Sequence, residues 1–247
     1  TGVQTCALPI FDVTSTNETT VLAKISSVDG TIIWQKVISD ASYDITPGSL
    51  AYASGYVYQT VNRSLTGSDT YTIVSKYNAT TGALVWQRKL NAPADTVQRS
   101  RSIDVDSSNN VYVAVYDVTN TNGYVVKYNS SGAIQWQKKI AGFEYTNFIS
   151  VAYDNLVLTS HDSSTAIIMK LNPSTGAIIW QRYLGELSGG TEFAYSSTTD
   201  SAGNIYFVGE GNYGVYGDQL IAKFDTNGNL LRSEEHTSEL QSRETIS

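Results

Sequence analysis

The chain has 247 residues, with 16 Lys and Arg against 23 Asp and Glu, a formal net charge of −7, one Cys, two His, four Trp and 17 Tyr. A single Cys excludes a disulfide framework or a zinc cluster. The acidic balance argues against general nucleic-acid binding, and no apolar run approaches the roughly 18 residues of a membrane span.

In chain order, the first segment, TGVQTCALPI at 1–10, resembles translated sequencing adapter, as does RSEEHTSELQSRETIS at 232–247 read from the opposite strand. Such segments are set aside from fold reasoning as a tag is. They remove Cys6, His236, two Arg and four Glu, which leaves 11–231 with 14 basic and 19 acidic residues, net −5. On this reading the chain is a fragment that lacks its natural N-terminus.

Residues 11–39 hold a hairpin pattern ending in GTIIWQK. Residues 49–90 read as four short strands: SLAYA, YVYQTV, YTIVSKY and, after the turn NATTG, ALVWQR. The same order recurs at 101–140 (SIDVD, NVYVAVY, GYVVKY, then NSSG and AIQWQK) and at 148–184 (ISVAY, NLVLTS, a strand through Lys170, then NPSTG and AIIWQR). It begins again at 192–231 with FAYSS, NIYFVG, IAKF, DTNG and NLL. The runs are rich in β-branched and aromatic residues, as strands are. Gly and Asn in the turns supply the positive φ that tight hairpins require.

A period underlies these elements. Trp34, Trp86, Trp136 and Trp180 are spaced by 52, 50 and 44 residues, each four residues after Gly30, Gly82, Gly132 and Gly176. Lys24, Lys76, Lys127 and Lys170 precede them by nine or ten. Lys223 and Gly228 open a fifth copy and predict Trp at 232, where Arg232 stands. Four strands repeating at such a period specify an all-β fold, a β-propeller of four-stranded antiparallel blades. The propeller is incomplete, with about four and a half blades: a half blade at 11–39, whole blades at 49–90, 101–140 and 148–184, and a truncated blade at 192–231. A two-sheet sandwich does not predict so regular a repeat. ALVW, AIIW and VYVAVY lack polar alternation and read as strands covered on both faces. Both ends would leave unpaired edges, unless the leading half blade pairs with the trailing one and closes a strained five-bladed ring.

NATTGALVWQ and NPSTGAIIWQ resemble the tryptophan-docking motif of quinoprotein (PQQ-like) propeller repeats, and DSAGNIYFVGE followed by DQLIAKFDTNGNLL is similar to the bacterial propeller repeat written SBBP. The resemblance covers 11–231. It implies that Trp34, Trp86, Trp136 and Trp180 are structural, on outermost strands and packed across to the neighbouring blade. Enzymes of the quinoprotein kind hold pyrroloquinoline quinone and calcium through Glu, Asn and Asp, and many carry a vicinal disulfide. The disulfide has no counterpart here, and the ligands map to no particular positions.

Little other chemistry stands out. A nucleophilic triad needs a His base, and only His161 remains, beside Asp162, read as an exposed loop residue after a strand. Asp104, Asp106 and Asn110 in DVDSSNN give the hard oxygen atoms calcium prefers, although the spacing fails the twelve-residue calcium loop. Such Asx residues commonly bond their own backbone. The repeated Lys read as a blade-edge feature rather than a phosphate site. Asn17, Asn62, Asn78 and Asn129 head Asn-X-Ser/Thr triplets. The expectation is a non-enzymatic binding or structural module of a larger secreted, cell-surface or virion protein. It has no cofactor beyond the calcium candidate, and a protein or glycan partner at the channel-end loops. The alternatives are a fragment of a PQQ-dependent dehydrogenase and an envelope assembly scaffold.

Overall fold

The computed structural model describes residues 18–236 except 66–67, 91–97, 118, 120–121, 142–144, 163–164, 185–190 and 214–215. The adapter-like segment 1–10, Asn17 and residues 237–247 lie outside the described residues.

The chain opens with β1 (Thr20–Ile25) and β2 (Ile32–Ile38), which form a two-stranded sheet. Four antiparallel sheets follow, each a meander in chain order. The second sheet is β3 (Asp44–Ala53), β4 (Tyr56–Leu65), β5 (Ser68–Asn78) and β6 (Leu84–Leu90); the third is β7 (Gln98–Val105), β8 (Val111–Asp117), β9 (Asn122–Tyr128) and β10 (Ile134–Ala141). The fourth is β11 (Tyr145–Ala152), β12 (Asn155–His161), β13 (Ala166–Leu171) and β14 (Ile178–Tyr183); the fifth is β15 (Thr191–Thr199), β16 (Ile205–Tyr213), β17 (Tyr216–Phe224) and β18 (Leu230–His236). Among the described residues β1 pairs only with β2 and β18 only with β17, so the arc is open and the five-bladed closure is not adopted. The last strand also runs past the expected limit at 231. Arg232–His236 complete the β17–β18 ladder, because pairing is made by backbone groups whatever side chains they carry.

The core lies between sheets rather than within one. All seven residues of β8 are buried. Val111, Val113 and Val115 face the second sheet and join Tyr58, Val74 and Trp86, whereas Tyr112 and Ala114 face the fourth and join Ile149, Leu158 and Ile167. Strand alternation thus serves two apolar layers at once. Leu22 packs on Val57 and Tyr77 to join the first two sheets; Val157 and Ile168 pack on Phe207, Leu220 and Phe224 to join the last two. Each such side chain contributes about 1.5–3 kcal/mol on burial.

The expectation of two covered faces therefore holds for VYVAVY but not for ALVW and AIIW. Those runs lie on the last strand of their sheets, where only the Trp reaches into an interface and its aliphatic neighbours stay exposed. At the opposite edge β3, β7, β11 and β15 stand side by side. Each is interrupted by a bulge at a matching place, between Pro47 and Leu50, Ser100 and Ser102, Thr146 and Phe148, and Ala194 and Ser196. A bulge bends its strand and re-aims the extra residue.

Candidate functional site

The repeated tryptophans and glycines meet one another, across sheets rather than within a hairpin. Trp34 lies on Gly82, Trp86 on Gly132, Trp136 on Gly176 and Trp180 on Gly228; a Cβ at any of these glycines would sit 2.7–2.9 Å from the indole. Each glycine also has φ between +69° and +80°, so both the turn and the close approach demand it. Gly30, at the same turn position of the first hairpin, has φ +74° and nothing within 4 Å. The indole N–H donates at 3.1 Å to a carbonyl of the same turn: Ala79 for Trp34, Ser130 for Trp86, Pro173 for Trp136 and Thr226 for Trp180.

The repeated lysines join this contact. Each pairs in register with its tryptophan: Lys24 with Trp34, Lys76 with Trp86, Lys127 with Trp136 and Lys170 with Trp180. Lys76, Lys127 and Lys170 donate to the same carbonyls as the indoles, at 3.2, 2.8 and 3.1 Å. Burial pushes the Lys76 and Lys170 ammonium groups down from their ordinary value. Two residues after the Trp, Arg88 and Arg182 donate from Nε to Gly132 and Gly228 carbonyls, at 2.9 and 2.7 Å. In the fifth sheet Lys223 pairs with Arg232, which occupies the tryptophan position of the repeat.

Asp106 and Asn110 are brought together, as a turn cap. Asp106 Oδ1 accepts from Ser108 and Asn110 N–H at 2.9 and 2.8 Å; Oδ2 accepts from Asn110 Nδ2 and the Tyr112 hydroxyl at 2.8 and 3.1 Å. DSAGN at Asp200 and DTNGN at Asp225 repeat the device with Asn204 and Asn229, whose side-chain amides hold those exposed carboxyls below the usual range. Asp104 is engaged elsewhere. Its carboxylate accepts from Val151 N–H of the fourth sheet at 2.7 Å and from Val105 N–H at 2.8 Å, while burial pushes its pKa up. Among the described residues no three His, Cys, Asp or Glu side chains come together.

His161 differs from its sequence reading. It ends β12, is buried, and meets the Phe193 ring edge-on at 5.0 Å. Burial pushes its pKa down, Asp162 pulls it up, and Arg101 adds to the depression. Asn62 is also buried within β4. Asn78 and Asn129 cap their own turns, accepting from Thr80 and Ser131 N–H at 2.9 and 3.1 Å.

The outer rim carries what the sequence reading missed. Ile32 and Ile33, Leu84 and Val85, Ile134, Ile178 and Ile179, and Leu230 and Leu231 are each 40–54% exposed. All lie on β2, β6, β10, β14 or β18, so every sheet presents aliphatic side chains at its outer edge. The signal was present in the aliphatic residues that precede each Trp position, paired in every copy but the third, where Gln135 follows Ile134.

Meander sheets linked by tryptophans seated on the next sheet's turn glycine define a PQQ-like β-propeller repeat protein. The family model described as outer membrane protein assembly factor BamB matches residues 11–182, and the chain belongs to that family. No curated protein matches the sequence. Among solved structures, the chain is similar to the Dos1 propeller, with 12% identity and a TM-score of 0.56 over 89% of this chain and 56% of that one. It is similar to quinohemoprotein alcohol dehydrogenase ADHIIG from Pseudomonas putida HK5, with 14% identity and a TM-score of 0.54 over 78% of this chain and 35% of that one. The β-propeller domain of the Trilobed protease from Pyrococcus furiosus, which has an open velcro topology, gives 8% identity and a TM-score of 0.52 over 81% and 58%. At these identities the likeness shows the fold, and the chain spans well under two thirds of each of these structures. No helix among the described residues is long and apolar enough to cross a membrane.

Proposed function

We propose that this propeller is a non-catalytic binding module, an assembly scaffold of the bacterial envelope that holds protein partners along its outer rim. The observation that carries this reading is the aliphatic rim. Isolated exposed apolar residues need no explanation, whereas their recurrence at the same place on every sheet supports an interaction surface. Its geometry suits protein: the outer strands also present backbone donors and acceptors to which an extended segment can add. The family's description, an outer membrane protein assembly factor, supports placement in the envelope and a protein partner.

The test is a photo-crosslinker placed at Val85 and, separately, at Ile179 in the protein expressed in a Gram-negative envelope. Crosslinks to envelope proteins that are lost on Leu84→Lys and Ile178→Lys substitution are expected. Quinone-dependent alcohol oxidation by the full-length protein, reconstituted with pyrroloquinoline quinone and calcium, would overturn the reading in favour of a dehydrogenase fragment.

A further inference from the structure

A cleft of about 380 Å³ lies between the second and third sheets, on the side of the inner strands. Thr46, Pro47 and Gly48 of β3 form one wall, Arg99, Ser100 and Arg101 of β7 the other, and Asn62, Ser64 and Thr70 close it. Among the described residues no Asp or Glu lines it, although the whole chain is acidic at −7. Arg99 and Arg101 are both exposed. The one ion pair among the described residues joins Arg63 to Asp40, neither of which is among the described lining residues.

The floor is built rather than incidental. Asn62 is 6% exposed. Its Oδ1 accepts three hydrogen bonds: from Ser100 N–H at 2.8 Å, Ser100 Oγ at 3.1 Å and Thr72 Oγ1 at 3.1 Å. A backbone N–H can only donate, so the amide orientation is fixed and Nδ2 carries both remaining donors. Those two donors have no partner among the described residues, and Asn62 lines the cleft. Gly48 allows this closeness, since a Cβ there would run into Thr60 Oγ1 and Ser100 Oγ. The β7 bulge falls between Ser100 and Ser102, so Arg101 is the residue it re-aims.

A buried amide offering N–H groups, two guanidinium groups and four hydroxyls, with no carboxylate among the described lining residues, makes a donor-lined pocket. We infer that this cleft binds the oxyanion group, carboxylate or phosphate, of a small ligand. Guanidinium forks match both groups geometrically, and the Asn62 Nδ2 group can add a hydrogen bond from the floor. The site is independent of the rim, so its failure leaves the scaffold reading intact and the reverse.

Calorimetric titration of the full chain at low ionic strength, with inorganic phosphate and separately with citrate, tests this. Saturable one-to-one binding of at least one probe is expected, weakened by added salt, and the probe that binds identifies the oxyanion. Arg99→Gln and Arg101→Gln should each weaken it about tenfold, the usual value of one hydrogen bond to a charged group. Asn62→Asp keeps the acceptor for Ser100 and Thr72 but turns the donor into a negative oxygen, and should abolish binding. The arginines are exposed, so their variants keep the fold, and an unchanged circular dichroism spectrum checks this. No saturable binding of either probe, or affinity unchanged in both Arg variants, would overturn the inference.

Discussion

Replacing Gly132 by Ala adds one methyl group where an indole already fills the space. The new Cβ would stand 2.8 Å from Trp86 Cδ2 and 3.1 Å from Cε2 and Cε3, where carbon atoms settle at about 3.5–4.0 Å. Trp86 cannot swing away freely, because it is 7% exposed and bound to Ser130 O of that same turn. Left-handed backbone costs Ala about 1 kcal/mol. Loosening the indole forfeits a hydrogen bond of about 1 kcal/mol and a large part of an aromatic burial worth about 2–3 kcal/mol, for a total of about 4 kcal/mol. Gly30→Ala and Gly203→Ala impose the same backbone cost at φ +74° and +83°, but meet nothing within 4 Å or ordinary contacts at 3.6 Å. At about 2–4 °C per kcal/mol for a chain of this size, Gly132→Ala should lower the melting temperature by about 8–16 °C, and each control by about 2–4 °C. Thermal unfolding followed by circular dichroism reads the difference. Equal melting of all three variants would refute the seat-and-glycine reasoning.

Trp180→Ala should cost about 3–5 kcal/mol, and Trp180→Phe, which keeps a buried ring but loses the bond to Thr226 O, appreciably less; urea titration separates them. Asp104 carries a pKa raised by burial, so its contribution to stability is full below the unfolded value and is lost as pH rises past about 4. Wild type should therefore lose melting temperature relative to Asp104→Asn from pH 3.5 to 6, and parallel curves would contradict this. His161 is the reverse case: burial lowers its pKa, so the stability of the neutral form is present above about pH 6.5 and falls as acid charges the ring. An NMR titration placing His161 above 6.5 would contradict the burial argument. Calcium added after chelation should leave the melting temperature unchanged, because the Asp106 oxygens already serve their turn; a rise of several degrees would restore a cation to that loop.

The repeat was legible because its clock is a large, rare residue. Tryptophan at every fiftieth position or so shows against any background, and a fold class follows from the strands between. What each tryptophan touches was not legible in the same way. Its glycine belongs to the next copy, 40 to 48 residues on, and sequence proximity points instead to the glycine four residues before. The aliphatic pairs were visible, but an apolar dipeptide reads alike on a covered strand and on an outer edge. His161 was misplaced by a boundary: a strand one residue longer than its pattern turns a loop residue into a buried one. The inner-strand bulges share no residue type, since Gly48, Arg101 and Tyr195 stand at three of them. The cleft therefore had no sequence signature, and Asn62, Arg99 and Arg101 meet only through the approach of two sheets.

The seat of each tryptophan on a glycine made later in the chain gives the arc a direction of growth. During synthesis, a finished sheet waits for about the next 50 residues, and the arrival of the following turn fastens it. Under load the sequence runs backwards. Traction on the two termini would strip sheets from the ends inward, one fastening at a time, and the extension recorded at each step would be the length of one repeat.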